Sequence, residues 1–121
     1  MTIVLAFTSA SCSNDSKENL PPNLTLISNY NSSSDEVELG RLINQYRLSV
    51  GKNKFEIVNH ISYKSKEHNF YMIENNVVNH DFFDVRANNI MQVLGAIKVA
   101  ENIAYNYSTS NSALIAWLNS P

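Results

Sequence analysis

Leu39, Leu42, Ile43, Tyr46 and Val50 recur at steps of three and four residues, and that spacing commits the segment to a helix with one buried face. A strand would scatter the same side chains over both of its faces. The start is marked as well. Ser33-Ser34-Asp35-Glu36 fits a capping box, in which the Ser33 hydroxyl accepts from the third helical amide while Glu36 reaches back. Gly51 supplies the left-handed residue that closes the helix. Ile57, Ile61, Ser65, His68 and Met72 trace a second helical face, with a small residue at its centre. Residues 84–95 read as a third helix with Ile90, Val93 and Leu94 inward. From Glu101 to Tyr107 the chain alternates as a short strand, with Ile103, Tyr105 and Tyr107 on one side. Ser108 or Ser110 caps a last helix, whose apolar stripe is Ala113, Leu114, Trp117 and Leu118 and whose limit is Pro121.

Composition narrows the class. A chain of 121 residues is one domain at most, and 44% hydrophobic with 17% charged residues describes a globular protein rather than a disordered one. A formal charge of -2 offers no electrostatic basis for binding nucleic acid or an anionic membrane surface. Apolar runs fall well short of the ~20 residues needed to span a bilayer. Internal repeats, coiled-coil heptads, nucleophile elbows and glycine-rich phosphate loops are missing.

The single cysteine, Cys12, excludes an internal disulfide. It follows the short apolar run Ile3-Val4-Leu5-Ala6-Phe7 and the small residues Ser9-Ala10-Ser11, a pattern that resembles a bacterial lipobox. Small side chains there suit a signal peptidase, and the cysteine would then carry lipid. The segment 1–12 is therefore read as a lipoprotein signal, although no Lys or Arg precedes the apolar run. The alternative is an ordinary terminus with an inert thiol. Residues 13–34, rich in Ser, Asn and Asp around Pro21-Pro22, read as a flexible linker.

Several blocks then occur in one order. Leu42-Ile43-Asn44-Gln45-Tyr46-Arg47 comes first, followed by Ser65, Glu67, His68 and Met72, then Asn79-His80-Asp81 with Arg86. Ala100-Glu101-Asn102-Ile103-Ala104-Tyr105 and Ala113-Leu114-Ile115-Ala116-Trp117-Leu118-Asn119-Ser120-Pro121 complete the series. Over residues 35–121 this order resembles the CAP superfamily, shared by cysteine-rich secretory proteins, antigen 5 and plant pathogenesis-related proteins, and above all its bacterial SCP-like extracellular branch. One departure is Ala100, where the family's block has glycine.

The resemblance implies an α+β fold, an α-β-α sandwich with helical layers on both sides of an antiparallel sheet. In the family the Trp-x-x-Ser-Pro block runs on into Gly-His and further strands. Residues 35–121 are therefore expected to be a partial CAP domain, a mostly helical N-terminal portion lacking the later strands. An apolar helix face without its sheet is an aggregation liability.

The resemblance also points to His80 and Glu101 as ligand-binding or metal-binding residues of one cleft, with Trp117's helix nearby. A carboxylate beside an imidazole holds one tautomer, which suits metal binding or proton transfer. By residue type alone, Glu101 as a loop brace and His80 as a merely exposed ring is the favoured reading, and the resemblance reverses that order. A catalytic zinc site uses three protein ligands, so these two fall short of one, and zinc is the metal only of a fuller form. His68 matches a position internal in the family. His60 is expected at the exposed start of the second helix, and Arg86 in a surface ion pair with Asp84.

The expected function is an extracytoplasmic binding module, tethered to a bacterial membrane through lipid on Cys12. Its His80/Glu101 cleft would take a small, lipidic or protein ligand, with no catalytic residue and no nucleic acid partner. The alternatives are a metal-assisted hydrolase in full-length form and an inactive truncated product.

Overall fold

The computed structural model describes residues 23–121, so Cys12, the signal-like segment 1–12 and the first part of the linker lie outside it. Four helices follow in order: α1 (Ser34–Ser49), α2 (Asn59–Asn75), α3 (Phe83–Leu94) and α4 (Ser110–Leu118). Helix α1 packs on α4, and α2 on α3.

The ends of α1 form by local chemistry. Ser33 Oγ accepts from the Glu36 amide at 3.2 Å, and the Glu36 carboxylate accepts from the Ser33 amide. At the other end Gly51 takes φ +75°, while Lys52 N–H reaches Arg47 O at 2.8 Å and Gly51 N–H reaches Leu48 O at 3.1 Å. Those two bonds define a Schellman motif, which satisfies carbonyls the helix leaves open. Asn76 ends α2 in the same way, with φ 51° and Val77 N–H on Met72 O at 3.0 Å. Gly95, at φ 70°, ends α3 with one bond to Met91 O.

Helix α4 is capped by Thr109 rather than Ser108 or Ser110. Its side chain accepts from Ser112 N at 3.1 Å, because it is Thr109 that stands in extended conformation three residues before that amide. Ser110 instead donates to Asp35 O at 3.0 Å and ties the start of α4 to that of α1. The core of this pair is Leu39, fully buried, with Ile43, and Phe55, Leu114 and Trp117 pack against it. Asn44 places Phe55 by gripping both of its backbone groups, donating to the carbonyl at 3.0 Å and accepting from the amide at 2.7 Å. Leu118 is half exposed and falls outside the expected stripe.

Helix α2 buries Ser65, His68 and Met72 as its spacing predicts, but Ile57 lies ahead of the helix and is exposed. The exposed position expected for His60 is overturned. The ring is 1% exposed, accepts from Ile27 N–H at Nδ1 (3.1 Å) and meets Asn89 Oδ1 at Nε2 (2.8 Å). Asn89 in turn donates to Asn23 O at 2.8 Å, and Asn59 donates to Ser28 O at 2.6 Å. Residues 23–33 thus carry no helix or strand, yet these bonds fasten their first half across α2 and α3. His60 is buried because a segment remote in sequence covers it.

The strand expected over Glu101–Tyr107 does not form. Asn102 makes only an isolated bridge, and the described residues are helical without a strand. Extended backbone needs a neighbour for its polar groups. Here Ile103 O is taken by Trp117 Nε1–H at 3.1 Å, and Asn106 turns the chain at φ 63°.

Candidate functional site

The loop between α2 and α3 is built around Asp81. Its Oδ2 accepts from Tyr71 Oη at 2.7 Å and from Asn79 Nδ2 at 2.9 Å, while its amide donates to Asn79 Oδ1 at 3.1 Å. The Asp81 carboxylate holds the Tyr71 phenol protonated above its ordinary range. Phe83 N–H closes a turn on His80 O at 3.1 Å. Phe82 sits between them in left-handed conformation, φ 57°, which costs a bulky residue about 1–2 kcal/mol. Its ring packs edge-on against Tyr71.

From this loop His80 projects outward, its side chain 60% exposed, while its Nδ1 lies 2.9 Å from Glu101 Oε1. The two candidates, twenty-one residues apart in sequence, are thus in direct contact. Glu101 itself is 4% exposed.

Arg86 explains how a carboxylate is held there. Its Nε donates to Oε2 at 2.9 Å, and Nη2 lies 2.8 Å from Oε1 and 2.7 Å from Oε2. Its Nη1 donates to Asp81 O at 2.6 Å. The expected surface pair with Asp84 is therefore replaced by a buried pair with Glu101, in which the arginine side chain is 11% exposed. Helical spacing carried the signal. Arg86 lies three residues from Phe83 and four from Ile90, on the inward face of α3, where a guanidinium needs a carboxylate.

His68 is internal, as the resemblance implies, with its side chain 1% exposed. Its Nε2 lies 2.8 Å from Asn79 O and 3.8 Å from Glu101 Oε1. A carbonyl only accepts, so Nε2 carries the proton.

His80 meets an acceptor in the same way. Donors from Arg86 meet both oxygens of Glu101, so the carboxylate acts as acceptor and the His80 bond runs from Nδ1–H to Oε1. In the neutral ring the lone pair is then on Nε2. Beyond the Arg86–Glu101 pair lies a small depression between Ile61, Phe83, Ile90 and Val99, and His80 is not part of its lining.

Zinc fits this donor set poorly. Both oxygens of Glu101 are engaged by Arg86 or His80, and the guanidinium would have to be displaced for the carboxylate to ligate. Among the described residues no three His, Cys, Asp or Glu side chains are grouped to hold a metal ion.

Residues 41–121 match the family model described as "CAP: Cysteine-rich secretory protein family", and the chain belongs to that family. Its members are typically secreted or extracellular. No curated protein and no solved structure matches the chain. No helix among the described residues is long and apolar enough to cross a membrane.

Proposed function

We propose that this CAP domain is an extracytoplasmic binding module, tethered to a bacterial membrane through lipid on Cys12, in which His80 is the ligand-facing group and Glu101 its orienting partner. The observation that carries this reading is the His80 Nδ1 to Glu101 Oε1 bond of 2.9 Å, made by a ring 60% exposed to a carboxylate 4% exposed. An imidazole fixed in this tautomer presents a hydrogen-bond acceptor to solvent. The matching ligand carries a donor, a hydroxyl or an amide N–H. Phe82, two residues on, and Val85 are exposed apolar side chains beside it in sequence, so an amphiphile with a short apolar portion suits the surface. The metal-assisted hydrolase reading draws no support from a donor set already satisfied by Arg86.

Protein labelled at histidine nitrogen and titrated with three probes tests this. Octanol, which combines a hydroxyl donor with an apolar chain, is expected to shift the His80 Nε2 resonance saturably, and His80→Ala should abolish binding. Octanesulfonate, which only accepts, and zinc chloride should not bind there. Saturable zinc binding lost in both His80→Ala and Glu101→Gln would return the site to the metal reading. Equal responses to octanol and octanesulfonate would remove the acceptor role. The tether is checked separately, since acylated protein should partition into detergent and a Cys12→Ser variant should stay in the aqueous phase or remain unprocessed.

A further inference from the structure

We infer that His68 and Arg86 are positioning residues for His80, acting on the two peptide carbonyls that flank it. His68 Nε2 grips Asn79 O at 2.8 Å, one residue before, and Arg86 Nη1 grips Asp81 O at 2.6 Å, one residue after. Both side chains are nearly covered, and both converge on Glu101, which Arg86 binds through a fork and His68 approaches to 3.8 Å. The backbone of an exposed ring is therefore clamped from below on each side, while its Nδ1 is held by the same carboxylate.

This arrangement is more than loop packing. A carboxylate fixed by a planar guanidinium fork offers its acceptor in one direction, and the flanking clamps set the ring to meet it. Outer groups of this kind decide which imidazole nitrogen carries the proton. Without them the exposed ring would exchange tautomers and rotamers freely, and the Nε2 acceptor would be lost for part of the time. His68 supplies its bond from a buried position on α2, one turn from Met72, so the inner face of that helix is what sets the proton on His80.

The inference rests on His80 being the ligand-facing ring, but its test needs no ligand. Nitrogen and proton NMR of the full chain reads the His80 tautomer directly. Wild type should show Nδ1–H as the major form. His68→Leu should lower the ratio of Nδ1–H to Nε2–H about fivefold, the population equivalent of one ordinary hydrogen bond. His68→Gln, whose amide still donates to Asn79 O, should restore it. Arg86→Lys keeps the charge without the fork, and should lower the ratio as well. Diethyl pyrocarbonate gives a second readout, because the other two histidines are buried and acylation at His80 should slow in step with the tautomer shift. A folded His68→Leu protein with the wild-type ratio would overturn the inference, and so would a His68→Gln protein as shifted as His68→Leu. Should His68→Leu not fold, Arg86→Lys and His68→Gln decide, and a wild-type ratio in folded Arg86→Lys is then the refuting result. Failure here leaves the octanol titration standing, and failure of the titration leaves the tautomer measurement intact.

Discussion

Replacing Arg86 with Met leaves Glu101 without its guanidinium. Met keeps much of the stem's volume and removes the guanidinium. Three contacts of 2.7–2.9 Å to Glu101 disappear, together with the 2.6 Å bond to Asp81 O. Glu101 is 4% exposed, so water cannot take over as partner without opening the fold. Stranding one member of a buried ion pair costs about 3–5 kcal/mol. Domains of this size have a total stability of roughly 5–15 kcal/mol, so the loss is a large share of it. At about 4–8 °C per kcal/mol it lowers Tm by roughly 12–40 °C. Urea unfolding followed by the fluorescence of Trp117 measures it. The companion variant, Arg86→Met with Glu101→Leu, removes the stranded charge and retains the loss at Asp81, about 1.5–3 kcal/mol for a charged hydrogen bond, together with the loss of the exposed His80 contact. The double variant should therefore be more stable than the single one. A loss below about 1 kcal/mol for Arg86→Met, the level of an exposed pair, would refute the reasoning. So would a double variant no more stable than the single.

Leu39→Ala should destabilise the protein by about 2–5 kcal/mol and redshift Trp117 emission, since Leu39 is fully buried under Trp117 and Leu114; a loss under 1 kcal/mol would place the core elsewhere. Tyr30 donates to Glu36 Oε1, and burial followed by that bond pushes its pKa up to about 12. The folded pKa lies above the unfolded one, so this contribution is complete below about pH 10 and lost as pH rises toward 12. Tyrosinate absorbance should show a late-titrating component that Tyr30→Phe deletes, and an unchanged titration curve would dismiss the Glu36 contact. Gly51→Ala should cost about 1–2 kcal/mol by thermal melting, because the residue stands at φ +75° with open space around it, leaving backbone strain as the sole penalty.

The helix signals were legible because they are local. The Ser33 capping box and the closure at Gly51 depend on residues within about one turn and appear in the structure as the sequence implies. The apolar spacing of α1 holds at Leu39 and Ile43 but leaves Tyr46 and Val50 exposed, because the core does not extend over the last turn of the helix. The ordered blocks around His80 and Glu101 named the family and the pair. Residue types alone favoured a brace with an exposed ring over a binding couple.

Tertiary structure decided whatever depends on a remote partner. His60 reads as a polar residue at a helix start, and only Ile27, 33 residues away, and Asn89 make it a buried one. Arg86 and Asp84 look like a surface pair until the chain brings Glu101, 15 residues on, under the guanidinium. Glu101–Tyr107 has a strand's alternation, but alternation fixes only which way side chains point. The ladder has to come from a neighbour, and the Ile103 carbonyl found Trp117 instead. Local spacing governs helices because their hydrogen bonds close within four residues, whereas sheets, buried polar groups and sites are completed by groups that no short window of sequence contains.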